Sequence, residues 1–171
     1  MQARAVQFLA IVTTAIALVP GGAHVLSLHA KLALPVEPYF VVQQIYQGWA
    51  WLGIVVVVAM LTNFASAMLT RDRPRQFVLS LAAGLLIAAT LAIFFTWTYP
   101  ANQATVNWTS IPGDWERLRM QWEYSHAATA ALSFVAFVCS VGAALSTQMV
   151  QAAVTHGTAM PQVPSRRGGS L

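Results

Sequence analysis

Gly48-Trp49-Ala50-Trp51-Leu52-Gly53-Ile54-Val55-Val56-Val57-Val58-Ala59-Met60-Leu61-Thr62-Asn63, continuing without a charge to Leu69, decides how the whole chain is read. In water the β-branched run Ile54–Val58 would favour a strand. Here the apolar stretch runs for about 20 residues, the length of a bilayer crossing. Lipid offers no partners to backbone N–H and C=O groups, so a lone spanning segment must pair them within itself as a helix. Composition supports lipid as the solvent. The chain is 57% hydrophobic and 8% charged, with a mean hydropathy of +0.61, whereas a soluble domain carries roughly 25% charged residues. The expected fold is therefore all-α, a four-helix transmembrane bundle with spans at about 5–28, 48–69, 76–98 and 122–148.

Before this stretch, Ala5 to about Leu28 forms the first span. Gly21 and Ala23 satisfy the small-residue rule for signal-peptide cleavage, but apolar character continues to Leu34, so the segment is read as a retained helix. Pro20-Gly21-Gly22 inside it predicts a kink. His24 follows at once, and His29 is read as interfacial. Lys31–Gln47 is expected to be a connector, broken by Pro35 and Pro38, with Tyr39, Phe40 and Tyr46 at the interface.

After it, Thr70–Arg75 is a basic turn. The third span carries Ser80 and Gly84, a small-xxx-small pair that permits close helix approach, and Pro100 is expected to end it. Ala101–Asp114 reads as a polar loop with Asp114 as an N-cap. The fourth helix begins near Trp115 and runs to about Val150. Trp115, Leu118, Trp122 and His126 share one stripe, and Arg119 is expected to pair with Glu123 at i, i+4. Residues 151–171, with His156, Arg166 and Arg167, read as a disordered tail. Cys139 is the single cysteine, so no internal disulfide or CxxC site exists; it is read as a small core residue.

Charge sets the expected orientation. Arg4, Arg71, Arg73, Arg75, Arg166 and Arg167 fall on one side, and Lys31, Arg117 and Arg119 on the other. The positive-inside rule puts both termini in the cytoplasm and the two long connectors outside, in a bacterial inner (plasma) membrane. Basic residues at one membrane face explain the net charge of +4 without a nucleic-acid partner. All the Trp and Tyr residues lie between Tyr39 and Tyr124, toward the outward end. No Gly-rich phosphate loop, Ser/His/Asp set or pair of carboxylates on one helix face supports a kinase or hydrolase.

Chemistry is expected near the outward end. His126 and His24 are imidazoles at similar depth in spans four and one, and ionisable groups in spans usually face the bundle interior. Asn102, just past Pro100, could donate an amide hydrogen bond to a ligand; in the plainer reading it is a turn residue. Trp97, Tyr99, Trp115 and Trp122 are the flat side chains around them. Asn63, deeper, is read as an interhelical hydrogen-bonding residue.

The Gly-rich first span with His24, Pro100-x-Asn102, Trp115 and Trp122-x-x-x-His126 together resemble the anthrone-oxygenase-like family of small four-span membrane proteins, over roughly residues 5–148. That resemblance implies a cofactor-free oxygenation of a flat polycyclic or quinone-like molecule by O2 in an outward-facing pocket. It implies His126 as the base, Asn102 as the oxyanion donor and His24 as a second base or orienting group. Trp115, Trp122, Tyr99 and Trp97 would bind the substrate. Two other classes compete. His24 and His126 could be the axial ligands of a b-type haem in an electron-transfer subunit. Alternatively the protein is a non-enzymatic membrane partner or small-solute binder, in which His126 is replaceable. A transporter is least expected, because no span carries an ionisable coupling group near its midplane.

Overall fold

The computed structural model describes residues 2–157, with side chains through Ser146. Its helices are α1 (Gln2–Leu32), α2 (Val36–Gln43), α3 (Leu52–Leu69), α4 (Pro74–Ile93), α5 (Tyr99–Ala104) and α6 (Trp115–Gly157). Two short 3-10 turns, Gln44–Tyr46 and Trp49–Trp51, link α2 to α3. No strand occurs among the described residues, so the Ile54–Val58 run is helical. Four helices are long and apolar enough to cross a membrane: Gln2–Leu32, Trp49–Leu69, Pro74–Ala104 and Trp115–Ser146. They pack as a bundle in which α6 lies against α1 and α4, and α3 lies against the same two from the other side. Small residues bring the backbones together at mid-bundle: Ala17, Ala59, Ala83 and Ala136 are buried around Ile87. Cys139 packs beside them.

Polar side chains tie the spans at this depth. Asn63 on α3 donates to Thr14 Oγ1 on α1 at 2.9 Å and accepts from Ser140 Oγ on α6 at 2.8 Å. Ser66 and Ser80 link α3 to α4 at 3.0 Å. Such bonds are worth roughly 0.6–1.7 kcal/mol each in a membrane. Asn63→Leu is therefore expected to cost about 1–3 kcal/mol, read as an earlier unfolding midpoint in mixed detergent micelles. Gly84 is close-packed as expected, since a Cβ there would meet the Phe64 ring at 2.8 Å.

Three local expectations are corrected. First, α1 is helical through Pro20 and runs on to Leu32, so Lys31 belongs to the helix and not to a connector. Gly21 serves close approach: a Cβ there would lie 3.1 Å from the Ala130 backbone on α6. The expected connector itself contains α2, entered directly after Pro35. Second, Pro100 does not end the third span. A π-helical turn, Phe94–Thr98, widens the helix just before it, with the Tyr99 N–H bonded to the Phe94 carbonyl. Pro100 then sits in the first turn of α5, which carries the span on to Ala104. Third, α6 is helical through Gly157, so residues 151–157 belong to it. The rest of the expected tail, 158–171, and the side chain of His156 lie outside the described residues.

The bundle end where α1 finishes and α6 begins carries a second core of Tyr39, Phe40, Ala101, Trp108, Leu118 and Trp122, with Tyr46 and Trp115 packed against it. This aromatic layer roofs the helices and places the site.

A buried ion pair above two stacked imidazoles

Helical spacing assembles the site from α1 and α6. His24 and Lys31 are seven residues apart, within about 20° of one face of α1 at 3.6 residues per turn. Both are buried, at 3% and 2% exposure. On α6, Trp122, Glu123 and His126 fall within one turn, and the close packing at Gly21–Ala130 holds the two faces together.

Lys31 is the hub. Its ammonium lies 2.7 Å from Glu123 Oε2 and 3.1 Å from His24 Nδ1. It also sits over the rings of Tyr46 and Trp122, at 5.2 and 5.1 Å from their centroids. An ammonium can only donate, so His24 Nδ1 must offer its lone pair, and neutral His24 carries its proton on Nε2. The His24 ring stacks on His126 at 4.1 Å with 25° between planes. Trp122 closes on both imidazoles edge-on, 4.7 Å from His24 and 4.3 Å from His126. Tyr46 lies 4.2 Å from His24 and Trp49 lies 6.1 Å from it. His126 is only half-buried, so of the two imidazoles it is the one that can be reached.

A buried charge requires a partner and hydrogen bonds, and Glu123 has both. Its Oε1 accepts from Tyr39 Oη at 3.0 Å and, more weakly, from Gln43 Nε2 at 3.4 Å, so α2 is tied to the ion pair. Burial and then the Glu123 charge push the Tyr39 hydroxyl far above its ordinary value, so it remains a donor. The expected Arg119–Glu123 pair is not formed. Glu123 faces the bundle interior and takes Lys31, while Arg119 donates to the Leu34 carbonyl at 2.9 Å. Arg119 also lies over Trp115 at 4.6 Å and Tyr39 at 5.4 Å.

Asn102 stands one layer out. Its Oδ1 accepts from Trp122 Nε1 at 2.7 Å and from Trp108 Nε1 at 3.0 Å. Two indole donors require the oxygen at that position, which fixes the amide's orientation. Trp108 reaches Asn102 because Val106, Asn107 and Trp108 are all left-handed, with φ of 50°, 54° and 64°. That conformation is costly for a β-branched residue. The segment is held by the Asn107 N–H on the Asn102 carbonyl and by the Trp108 N–H on Thr105 Oγ1.

His24, His126 and Trp122 thus come together, with Asn102 joined through the Trp122 indole. Trp115 is half-buried in the neighbouring aromatic layer, under Arg119. Trp97 and Tyr99 are exposed, at 49% and 43%. Trp97 borders an open groove with Ile93, Met120 and Tyr124, and Tyr99 packs on Phe94 and Phe95. Asp114 pairs with Arg117 at the surface. Lys31, Glu123, Tyr46 and Trp49 are not among the expected site residues. The signal for two of them is present in the spacing, seven residues from His24 to Lys31 and three from Glu123 to His126. No group of three or more His, Cys, Asp or Glu side chains placed to hold a metal ion occurs among the described residues. Axial haem ligands point their nitrogens at each other across a porphyrin, whereas these two rings lie face to face, so the haem reading gains no support from this arrangement.

Compared with family models, curated proteins and solved structures, the chain matches none of them.

Proposed function

We propose that this cluster is a proton-transfer site at the outward end of an inner-membrane protein with cytoplasmic termini, and that it supports cofactor-independent oxygenation of a flat, apolar, acidic C–H compound of the anthrone type. The observation that carries the reading is a half-buried His126 stacked on a buried His24 whose Nδ1 is occupied by Lys31. A neutral imidazole has one ring nitrogen with a lone pair and can act as a general base.

His126 takes a proton from the methylene that faces the carbonyl across the central ring, and the electron pair delocalises through the flanking aromatic rings onto the carbonyl oxygen. The carbanion passes one electron to O2, and the radical pair recombines with formation of a C–O bond. Loss of the second C–H proton with O–O cleavage leaves a new carbonyl. In balance, one methylene compound and one O2 give one ketone and one water. The carbon is oxidised and O2 is reduced, so the substrate itself supplies the electrons. The aromatic cover excludes water from the carbanion. Trp122 and Tyr46 are the rings nearest the imidazoles and would stack on the substrate once spread apart, Trp115 lies in the neighbouring aromatic layer, and Trp97 and Tyr99 lie away from them. Asn102 holds Trp122 in place. Entry is from the side that Tyr46 and Trp49 cover, on either side of Gly48.

Oxygen uptake with anthrone, measured on the protein in lipid nanodiscs, tests the reading. One O2 is expected per anthraquinone formed, and His126→Ala is expected to slow uptake by roughly 10²–10⁴-fold, the usual weight of a general base. Uptake unchanged by that substitution rejects it. A second reading has one observation in its favour: the charges of Lys31 and Glu123 are satisfied from within the chain. In that case the cluster pins a non-enzymatic membrane protein together. His126→Ala would then be harmless, and enlarging Ser80 or Gly84 would not.

A further inference from the structure

We propose that Lys31, and not Asn102, stabilises the oxyanion formed on the substrate; this rests on the oxygenase reading above. Asn102 is separated from the imidazoles by the Trp122 indole, whose N–H, with that of Trp108, holds the amide by its oxygen. Lys31 touches His24 directly and is 3% exposed along its side chain. Of its three N–H donors, one serves Glu123 and one serves His24. The third has only the ring faces of Tyr46 and Trp122, which lie 5.9 Å apart and 45° from parallel and must spread to admit a flat substrate.

Glu123 does not depend on Lys31 alone, because Tyr39 and Gln43 donate to its other oxygen. The ammonium can therefore share its charge with a second anion while the ion pair persists. A fixed cation in a site shielded from water, aimed where negative charge develops, is the arrangement that most lowers the barrier to such a step. Proton and charge then separate cleanly: the C–H proton goes to His126, and the electron pair settles on an oxygen held by Lys31.

The probe is anthrone without O2, where the enolate cannot be consumed and its absorption band can be read at pH 7. The wild type in nanodiscs is expected to accumulate enolate. The paired variant Lys31→Met/Glu123→Gln, which removes both charges and so leaves no buried orphan, is expected to lose it by about tenfold or more. Lys31→Arg keeps the charge but moves the donor, and should also reduce the band if the paired variant fails to fold. Asn102→Ala should lose less than either. An undiminished band in the Lys31 variants, abolished by His126→Ala, overturns the Lys31 assignment while leaving the oxygenase reading intact. No band in the wild type also overturns it; oxygen uptake by the same sample then tells whether the oxygenase reading falls with it.

Discussion

Lys31→Met is expected to cost about 3–5 kcal/mol of stability, because it leaves Glu123 charged and unpaired inside the bundle. Glu123 is 1% exposed, and its Oε2 has Lys31 as its partner. The remaining donors, Tyr39 and Gln43, both reach Oε1. The double variant Lys31→Met/Glu123→Gln should recover most of that loss, since a buried ion pair as a unit contributes little net stability. Unfolding of the wild type, both single variants and the double variant in mixed detergent micelles gives the comparison as a double-mutant cycle. A coupling near zero, with the double variant losing the sum of the two single losses, would contradict the ion pair. Because Glu123 also anchors α2 through Tyr39, the single variant should expose Tyr39 and Phe40 before the spans separate.

Gly21→Leu is expected to split the site, while its neighbour Gly22→Leu is tolerated. A Cβ at Gly21 would lie 3.1 Å from both Cα and Cβ of Ala130, whereas at Gly22 nothing lies within 4 Å. Backbone cannot give way as a flexible side chain can, so the larger residue must push α1 from α6. Overpacking of this kind costs typically about 1–3 kcal/mol. Gly21 is about one turn below His24, and Ala130 about one turn below His126, so the wedge enters directly beneath the stacked imidazoles. Oxygen uptake should therefore fall with Gly21→Leu by more than its stability loss explains. Gly22→Leu should stay within about 0.5 kcal/mol of the wild type, as surface substitutions do. Equal effects of the two would mean that α1 and α6 are not in contact at this level.

The four-helix arrangement is legible in the sequence because lipid leaves so few choices. Once Gly48–Leu69 is too long and too apolar for a soluble strand, every segment like it must be a helix. The stripe Trp115–Leu118–Trp122–His126 is legible for the same reason, since side-chain order along a helix follows from its period alone. Lys31 is not, because Pro35 and a lone charge both argue for a chain that has left the membrane. Only the far side of the pair, Glu123 on α6, makes a buried ammonium tenable, and that partner is most of the chain away. Glu123 itself reads as an Arg119 partner because i, i+4 pairs are local and visible, while its true partners on α1 and α2 are distant. The π-turn before Pro100 and the left-handed run Val106–Trp108 escape for a related reason. Both are backbone conformations held by tertiary contacts, the indole of Trp108 reaching Asn102 among them, and no local propensity announces them.

Proton abstraction by His126 is the step on which the proposed oxygenation depends, and it can be watched without O2. Anthrone deuterated at its acidic methylene is incubated anaerobically with the nanodisc protein, and deuterium loss is followed by mass spectrometry. The wild type is expected to wash out deuterium faster than empty nanodiscs, and His126→Ala at the rate of empty nanodiscs. Washout by the wild type no faster than the lipid blank, or equal washout with and without His126, would contradict it.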